Sequence, residues 1–253
     1  MSRGHRLPAE GGVFHLTHRC HNRSFLLKFA RDRNAYRAKL RAHLEQHQLW
    51  LLDYCVTCNH VHLLVDAAER ADLSTWIQRV AGEFARAYNR RKGRTNAFWG
   101  DNYHATLVEE GRYLWRCLCY IELNMVRAGV VRHPREWEWV GFHEIMRQRK
   151  RNRLLDLDRL CWRLRTDDLG AVQKNLETSL AEALEREEVR REPCWTESLV
   201  VGSTEFVGRM QPLIAGRQET EIVEAADGVW ALQESELAYG KETAPKIAPC
   251  DRS

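Results

Sequence analysis

The run Leu49-Trp50-Leu51-Leu52-Asp53-Tyr54-Cys55-Val56 is separated by only Thr57-Cys58-Asn59 from a second apolar segment that ends Val61-His62-Leu63-Leu64-Val65. Two strand-length segments joined by so short a link predict an antiparallel hairpin. The flanking chain extends the pattern. Val13 to Cys20 reads as a first strand, set off by Gly11-Gly12. Apolar or small residues at helical spacing (Ala35, Tyr36, Leu40, Leu44) predict a helix from Asp32, its expected N-cap, to about Gln46. A second helix is expected from about Asp72 to Arg90, a fourth strand from about Tyr103 to Glu109, and a third helix from about Gly111 to Val126, stopped by Gly129. The order β-α-β-β-α-β-α describes an α+β fold, a ferredoxin-like antiparallel sheet with helices packed on it.

Beyond Arg147 the texture changes. A basic stretch, Arg147 to Arg153, leads into segments rich in Leu, Glu and Arg that predict a mainly helical C-terminal extension. The expected organisation is a first folded domain over 1–146, a helical accessory region over 147–234 and a disordered tail over 235–253.

Net charge is only +4, but it is unevenly placed. Residues 1–150 hold 25 Lys and Arg against 15 Asp and Glu, whereas the remainder holds 14 against 20. A basic front half points to a polyanionic partner there, with a solvated charged surface as the alternative. No run is long and apolar enough for a membrane span or signal peptide, so the expected location is cytoplasmic, and the eight cysteines are read as reduced thiols.

The chemistry concentrates in two places. On a strand, His60 and His62 project from the face opposite Val61 and Leu63, a two-imidazole clamp for a divalent metal. Two hydrogen-bonded histidines on a sheet face, or a zinc knuckle with Cys55 and Cys58, are the competing readings. In the third helix, Tyr120 and Asn124 lie four residues apart on one face, so an amide oxygen and a phenol would stand together. Tyr113 and Tyr88 are rival tyrosines.

Taken together and in this order, Val13-Phe14-His15-Leu16-Thr17-His18-Arg19, Asn59 to Val65, Phe98-Trp99 with Tyr103-His104, and Tyr120 to Val130 resemble the single-tyrosine HUH transposases. The likeness is to the insertion sequence 200-like enzymes and the bacterial REP-associated tyrosine transposases, and it covers about residues 6–145. It implies the HUH nuclease fold, with His60 and His62 as metal ligands, Asn124 as a further polar ligand and Tyr120 as nucleophile. It also implies Mg²⁺ or Mn²⁺ as cofactor and single-stranded or hairpin DNA as partner. The expected activity is endonuclease and strand transfer through a 5′-phosphotyrosine, in a bacterial, nucleoid-associated setting. Members of the wider family often act as homodimers, though no seam in this sequence marks one. Arg19, Arg23, Arg90, Arg91, Lys92, Arg94 and Arg127, in or beside the matched segments, are the candidate DNA contacts. Many relatives carry Met-Pro before the first histidine pair and Asn-Pro after the tyrosine. Here Thr57-Cys58 and Asn124-Met125 stand there, so the nucleophile helix is expected to end differently. A rolling-circle initiator or relaxase, and a DNA-binding protein that has lost catalysis, are the alternative functions.

Overall fold

A computed structural model of the chain describes residues 11–44, 47–68, 73–186, 189–214 and 219–235. The sequence-expected tail, from residue 236 on, lies outside these residues, as do the expected first helix's last residue and the expected second helix's first.

In chain order the elements are β1 (Gly12–Arg19), α1 (Ala30–Leu44), β2 (Leu49–Val56), β3 (His60–Ala67), α2 (Leu73–Lys92), β4 (His104–Val108), α3 (Arg112–Glu122), α4 (Asn124–Arg127) and α5 (Phe142–Ile145). The C-terminal part adds α6 (Leu157–Arg163), α7 (Leu169–Glu185), α8 (Cys194–Glu197), β5 (Val200–Gly202), α9 (Thr204–Ile214), β6 (Thr220–Ala226) and β7 (Val229–Glu234). One seven-stranded sheet runs β2-β3-β1-β4-β5-β7-β6. Its first four strands pair antiparallel throughout, with β2–β3 as the expected hairpin and β1 between β3 and β4. This is the ferredoxin-like order.

Register decides which residues meet. Thr17 pairs with His62 and His15 with Leu64, so His15, Thr17 and His62 share a face. Tyr54 pairs with Leu63 on the other face, where Arg37 of α1 lies 5.3 Å over the Tyr54 ring. Helices α1 and α2 therefore cover one face, while α3 and α4 cover the histidine face. The apolar stripe of α3 (Tyr113, Leu114, Cys117, Leu118, Ile121) is buried there, which explains why these residues form a helix.

Three departures from the sequence reading follow. Asp32 is not an N-cap. It lies inside α1, buried, and pairs with Arg91 of α2. The third helix is not continuous to Val126: it breaks at Leu123 (φ −79°, ψ 3°), and Asn124 opens the short α4. Gly129, at φ +68°, ends this segment as expected. The C-terminal region has its helices but also supplies three strands. β5 joins β4 in parallel, matching Leu107 with Val200, and β7 and β6 follow outward. Val200, Val201, Ala231 and Leu232 are fully buried there. Segments of three to seven residues, interleaved with helices, carry too little periodicity to announce themselves.

Candidate active site

The edge of β3 beside β1 forms the floor of a cleft of about 570 Å³, lined in part by Arg19, Asn22, Arg23, His60, His62 and Arg191. The two motif histidines hold defined tautomers. A carbonyl only accepts, so His15 donates its Nδ1–H to Trp195 O at 2.7 Å. Its Nε2, 2.9 Å from His62 Nδ1, must then accept from that atom, because burial lowers the His15 pKa to about 3 and keeps the ring neutral. His62 thus carries its proton on Nδ1, and its Nε2 lone pair accepts a hydrogen bond from Asn124 Nδ2 at 2.8 Å. The same logic holds for His60. Its Nδ1 lies 2.7 Å from Asn59 Oδ1 and 2.9 Å from Thr57 Oγ1, which leaves Nε2 as the acceptor. The two rings sit 4.9 Å apart, centroid to centroid. Burial, first, and neighbouring cations push the His60 pKa to about 3 and that of His62 well below its ordinary value.

Tyr120 sits over this pair. Its ring centroid is 6.1 Å from His62, 6.2 Å from His15 and 6.3 Å from Trp195. Arg127, on α4, places its guanidinium 3.9 Å from the Tyr120 ring centroid and donates to the Tyr120 carbonyl at 3.0 Å. Burial raises the phenol pKa, and Arg127 and Arg191 act in the opposite direction. The break at Leu123 keeps Asn124 against His62 while turning Arg127 back over the tyrosine.

The donor set suits a divalent cation. Two neutral imidazoles stand side by side with Nε2 as acceptor. That of His62 holds a hydrogen bond from Asn124 Nδ2, which a half-turn of the amide would exchange for its oxygen. Each ring's other nitrogen is fixed by a hydrogen bond, as histidine ligands require. No carboxylate belongs to the set, so an ion held there would keep its charge for an anionic substrate. The surroundings also call for an anion: burial, then Arg23 and Arg191, push the Arg19 pKa down.

The other sequence candidates divide. Arg19 and Arg23 line the cleft, and Arg127 contacts the tyrosine. Arg90, Arg91 and Lys92 close α2 and are not among the residues lining the cleft, and of these Arg91 is tied to Asp32. Arg94 donates to Asn89 Oδ1 at 3.4 Å. Tyr113 donates to Gly228 O at 3.0 Å, at the β6–β7 turn, and Tyr88 is buried against Phe84 and Phe98, so neither accompanies the histidines. The Cys58 thiol accepts from Arg33 Nη1 at 3.9 Å, turned toward α1. His15, Trp195 and Arg191 went unseen as site residues in the sequence. His15 lay in plain view in a matched strand, but only the register pairs it with His62. Trp195 acts through its carbonyl, which no side-chain pattern reveals.

Residues 10–124 match the family model described as Transposase IS200 like. A REP-associated tyrosine transposase from Haemophilus influenzae is 26% identical over 155 residues, which cover 56% of this chain and 86% of that protein. A solved structure of a REP-associated tyrosine transposase bound to a REP hairpin shares the fold, with a TM-score of 0.51 at 19% identity, over 58% of this chain and 87% of that one. Through residues 10–124, the chain is similar to the IS200-like transposases.

Proposed function

We propose that the protein is a divalent-metal-dependent single-stranded DNA endonuclease and strand transferase acting on hairpin-bearing DNA, with Tyr120 as nucleophile. The observation that carries this reading is the hydrogen bond from Asn124 Nδ2 to His62 Nε2, at 2.8 Å, which sets that amide against the imidazole beside the Tyr120 ring, whose centroid lies 6.1 Å from that of His62. His60, His62 and the amide oxygen of Asn124 would hold Mg²⁺ or Mn²⁺. The mixed nitrogen and oxygen set suits Mn²⁺ better. When bound, the ion polarises the scissile phosphate and offsets its growing charge.

The chain's own residues do the rest. A phenol with a pKa of about 10 or above is a weak nucleophile. Arg127, stacked on the ring, stabilises the phenolate that must form. The phenol gives up its proton to solvent, its oxygen bonds to phosphorus as the bond to the 3′ oxygen breaks, and that leaving oxygen takes a proton from solvent. The products are a 5′-phosphotyrosine and a free 3′-hydroxyl, and the reverse attack joins ends without a high-energy cofactor. Arg19 and Arg191 flank the cleft where the phosphate must sit.

The test incubates purified protein with end-labelled single-stranded hairpin oligonucleotides and Mn²⁺ or Mg²⁺, alongside Tyr120→Phe. A metal-dependent covalent adduct absent from the variant is the expected result. Binding without an adduct under every condition would overturn the enzymatic reading, and an adduct surviving Tyr120→Phe would overturn the choice of nucleophile.

A further inference from the structure

Among the described residues, five large apolar side chains stand exposed, and two of them, Phe25 (67%) and Phe29 (56%), lie on the single loop between β1 and α1. The loop is not slack. Leu27, between the two phenylalanines, is fully buried, and its N–H donates to Cys58 O at 2.9 Å. Arg33 Nη1 donates to Leu27 O at 2.8 Å and Lys28 O at 2.7 Å, and Asn59 Nδ2 donates to Arg23 O at 3.1 Å. The loop is therefore clamped to residues 58 and 59, immediately before His60. A backbone held this firmly presents its rings to solvent at a standing cost in exposed apolar surface.

The charge around the rings has one sign. Arg23 and Lys28 are exposed on the loop itself, and Arg91 and Lys92, at the end of α2, reach it through Asp32 and Phe29. Lys92 Nζ lies 5.1 Å from the Phe29 ring centroid. The acid within reach, Asp32, is buried and already paired with Arg91. The loop also begins inside the cleft: Asn22 and Arg23 line it, both with left-handed backbone (φ 51° and 54°). Arg23, a residue with no intrinsic liking for that conformation, is held there at the mouth of the site.

We propose that this loop is a base-stacking platform. Single-stranded DNA leaving the cleft past Arg23 lays unpaired bases on Phe25 and Phe29, with its phosphates along Lys28 and Lys92. Every base offers a π-face, so stacking tolerates sequence, and the neighbouring cations serve the backbone. A paired base inside a duplex cannot offer its face, so the platform selects unpaired tails flanking a hairpin. This rests on the functional reading above.

The test measures binding of a fluorescent hairpin carrying single-stranded tails, a blunt version of the same hairpin, and a tailed probe with 2-aminopurine in the tail. The proteins are the full wild-type chain, Phe25→Ala, Phe29→Ala, the double variant and Phe29→Trp. Each alanine should weaken binding of the tailed probe by about tenfold and relieve 2-aminopurine quenching, while the blunt hairpin is unaffected and tryptophan restores affinity. Wild-type affinity in the double variant would overturn the platform. So would equal loss on tailed and blunt probes, or a wild-type dimer that dissociates in the variants, which would make the face a self-interface. A wild-type protein that binds none of the probes overturns the functional reading itself, and the platform with it.

Discussion

His15 touches no substrate in the proposed mechanism, yet it sets the tautomer of a ligand. Its Nε2 holds the proton of His62 on Nδ1, and a backbone carbonyl of α8 holds His15 in turn. His15→Phe should weaken Mn²⁺ binding by about 10–100-fold, measured by calorimetry, with little loss of helix content; unchanged affinity would remove His15 from the site. A different residue-scale effect lies behind the tyrosine. Asp53 and Glu122 are both buried, and burial lifts both carboxyl pKa values well above the ordinary range, with Asp53 adding to the rise at Glu122 and the charge of Glu144 adding to that at Asp53. The folded state then keeps a proton that the unfolded state has already lost above about pH 4. Stability contributed by this pair is present in acid and falls as pH rises. Urea melts at pH 5 and pH 8 should show Asp53→Asn or Glu122→Gln narrowing that difference; a wild-type chain that gains from the rise in pH through this pair would contradict it. The buried histidines act in the opposite sense. With folded pKa values of about 3 for His15 and about 4 for His18, their stabilisation is complete above about pH 6.5 and drains away as pH falls toward those values.

At the scale of elements, the break between α3 and α4 depends on packing beneath it. Gly141 approaches the carboxyl pair so closely that a Cβ there would fall 1.9 Å from Asp53 Oδ1 and 3.3 Å from Glu122 Oε1. Its N–H also donates to Tyr54 O at 2.9 Å. Gly141→Ala must displace Asp53 or the end of α3, and should cost about 1–3 kcal/mol by overpacking, read in thermal melts. Since Glu122 lies between Tyr120 and Asn124, the same variant should lower the yield of covalent adduct. A melt and adduct yield equal to wild type would show the carboxyl pair yielding at no cost. Glu144 of α5 performs a related fastening role. It accepts from Arg37 at 2.9 Å, Tyr54 at 2.8 Å and the Leu154 N–H at 2.6 Å, and so ties the basic linker back onto the sheet.

Across the whole molecule, the C-terminal region is part of the site's construction. β5 covers the edge of β4, Trp195 O anchors His15, and Arg191 lines the cleft. Asp66 of β3 binds Arg163 of α6 through two bonds, at 2.8 and 2.5 Å. A chain ending at residue 146 would bare the β4 edge and the apolar surface of Val108 and Leu107. It should aggregate or melt without cooperativity and lose Mn²⁺ affinity. A cooperative melt with full Mn²⁺ affinity would show that residues 1–146 fold and bind alone.

The local order of elements in residues 11–145 was legible because strands and amphipathic helices write their own periods into a sequence, and the β2–β3 hairpin because its link is so short. That His60, His62, Tyr120 and Asn124 lie together was legible because alternation and helical spacing put them on defined faces. What tertiary structure alone decided was which faces meet. The partnership of His15 with His62 is a register fact, and the carbonyl of Trp195 reaches His15 across 180 residues. The course of the loop that exposes Phe25 and Phe29 is likewise set by contacts distant in sequence, to Cys58 and Asn59.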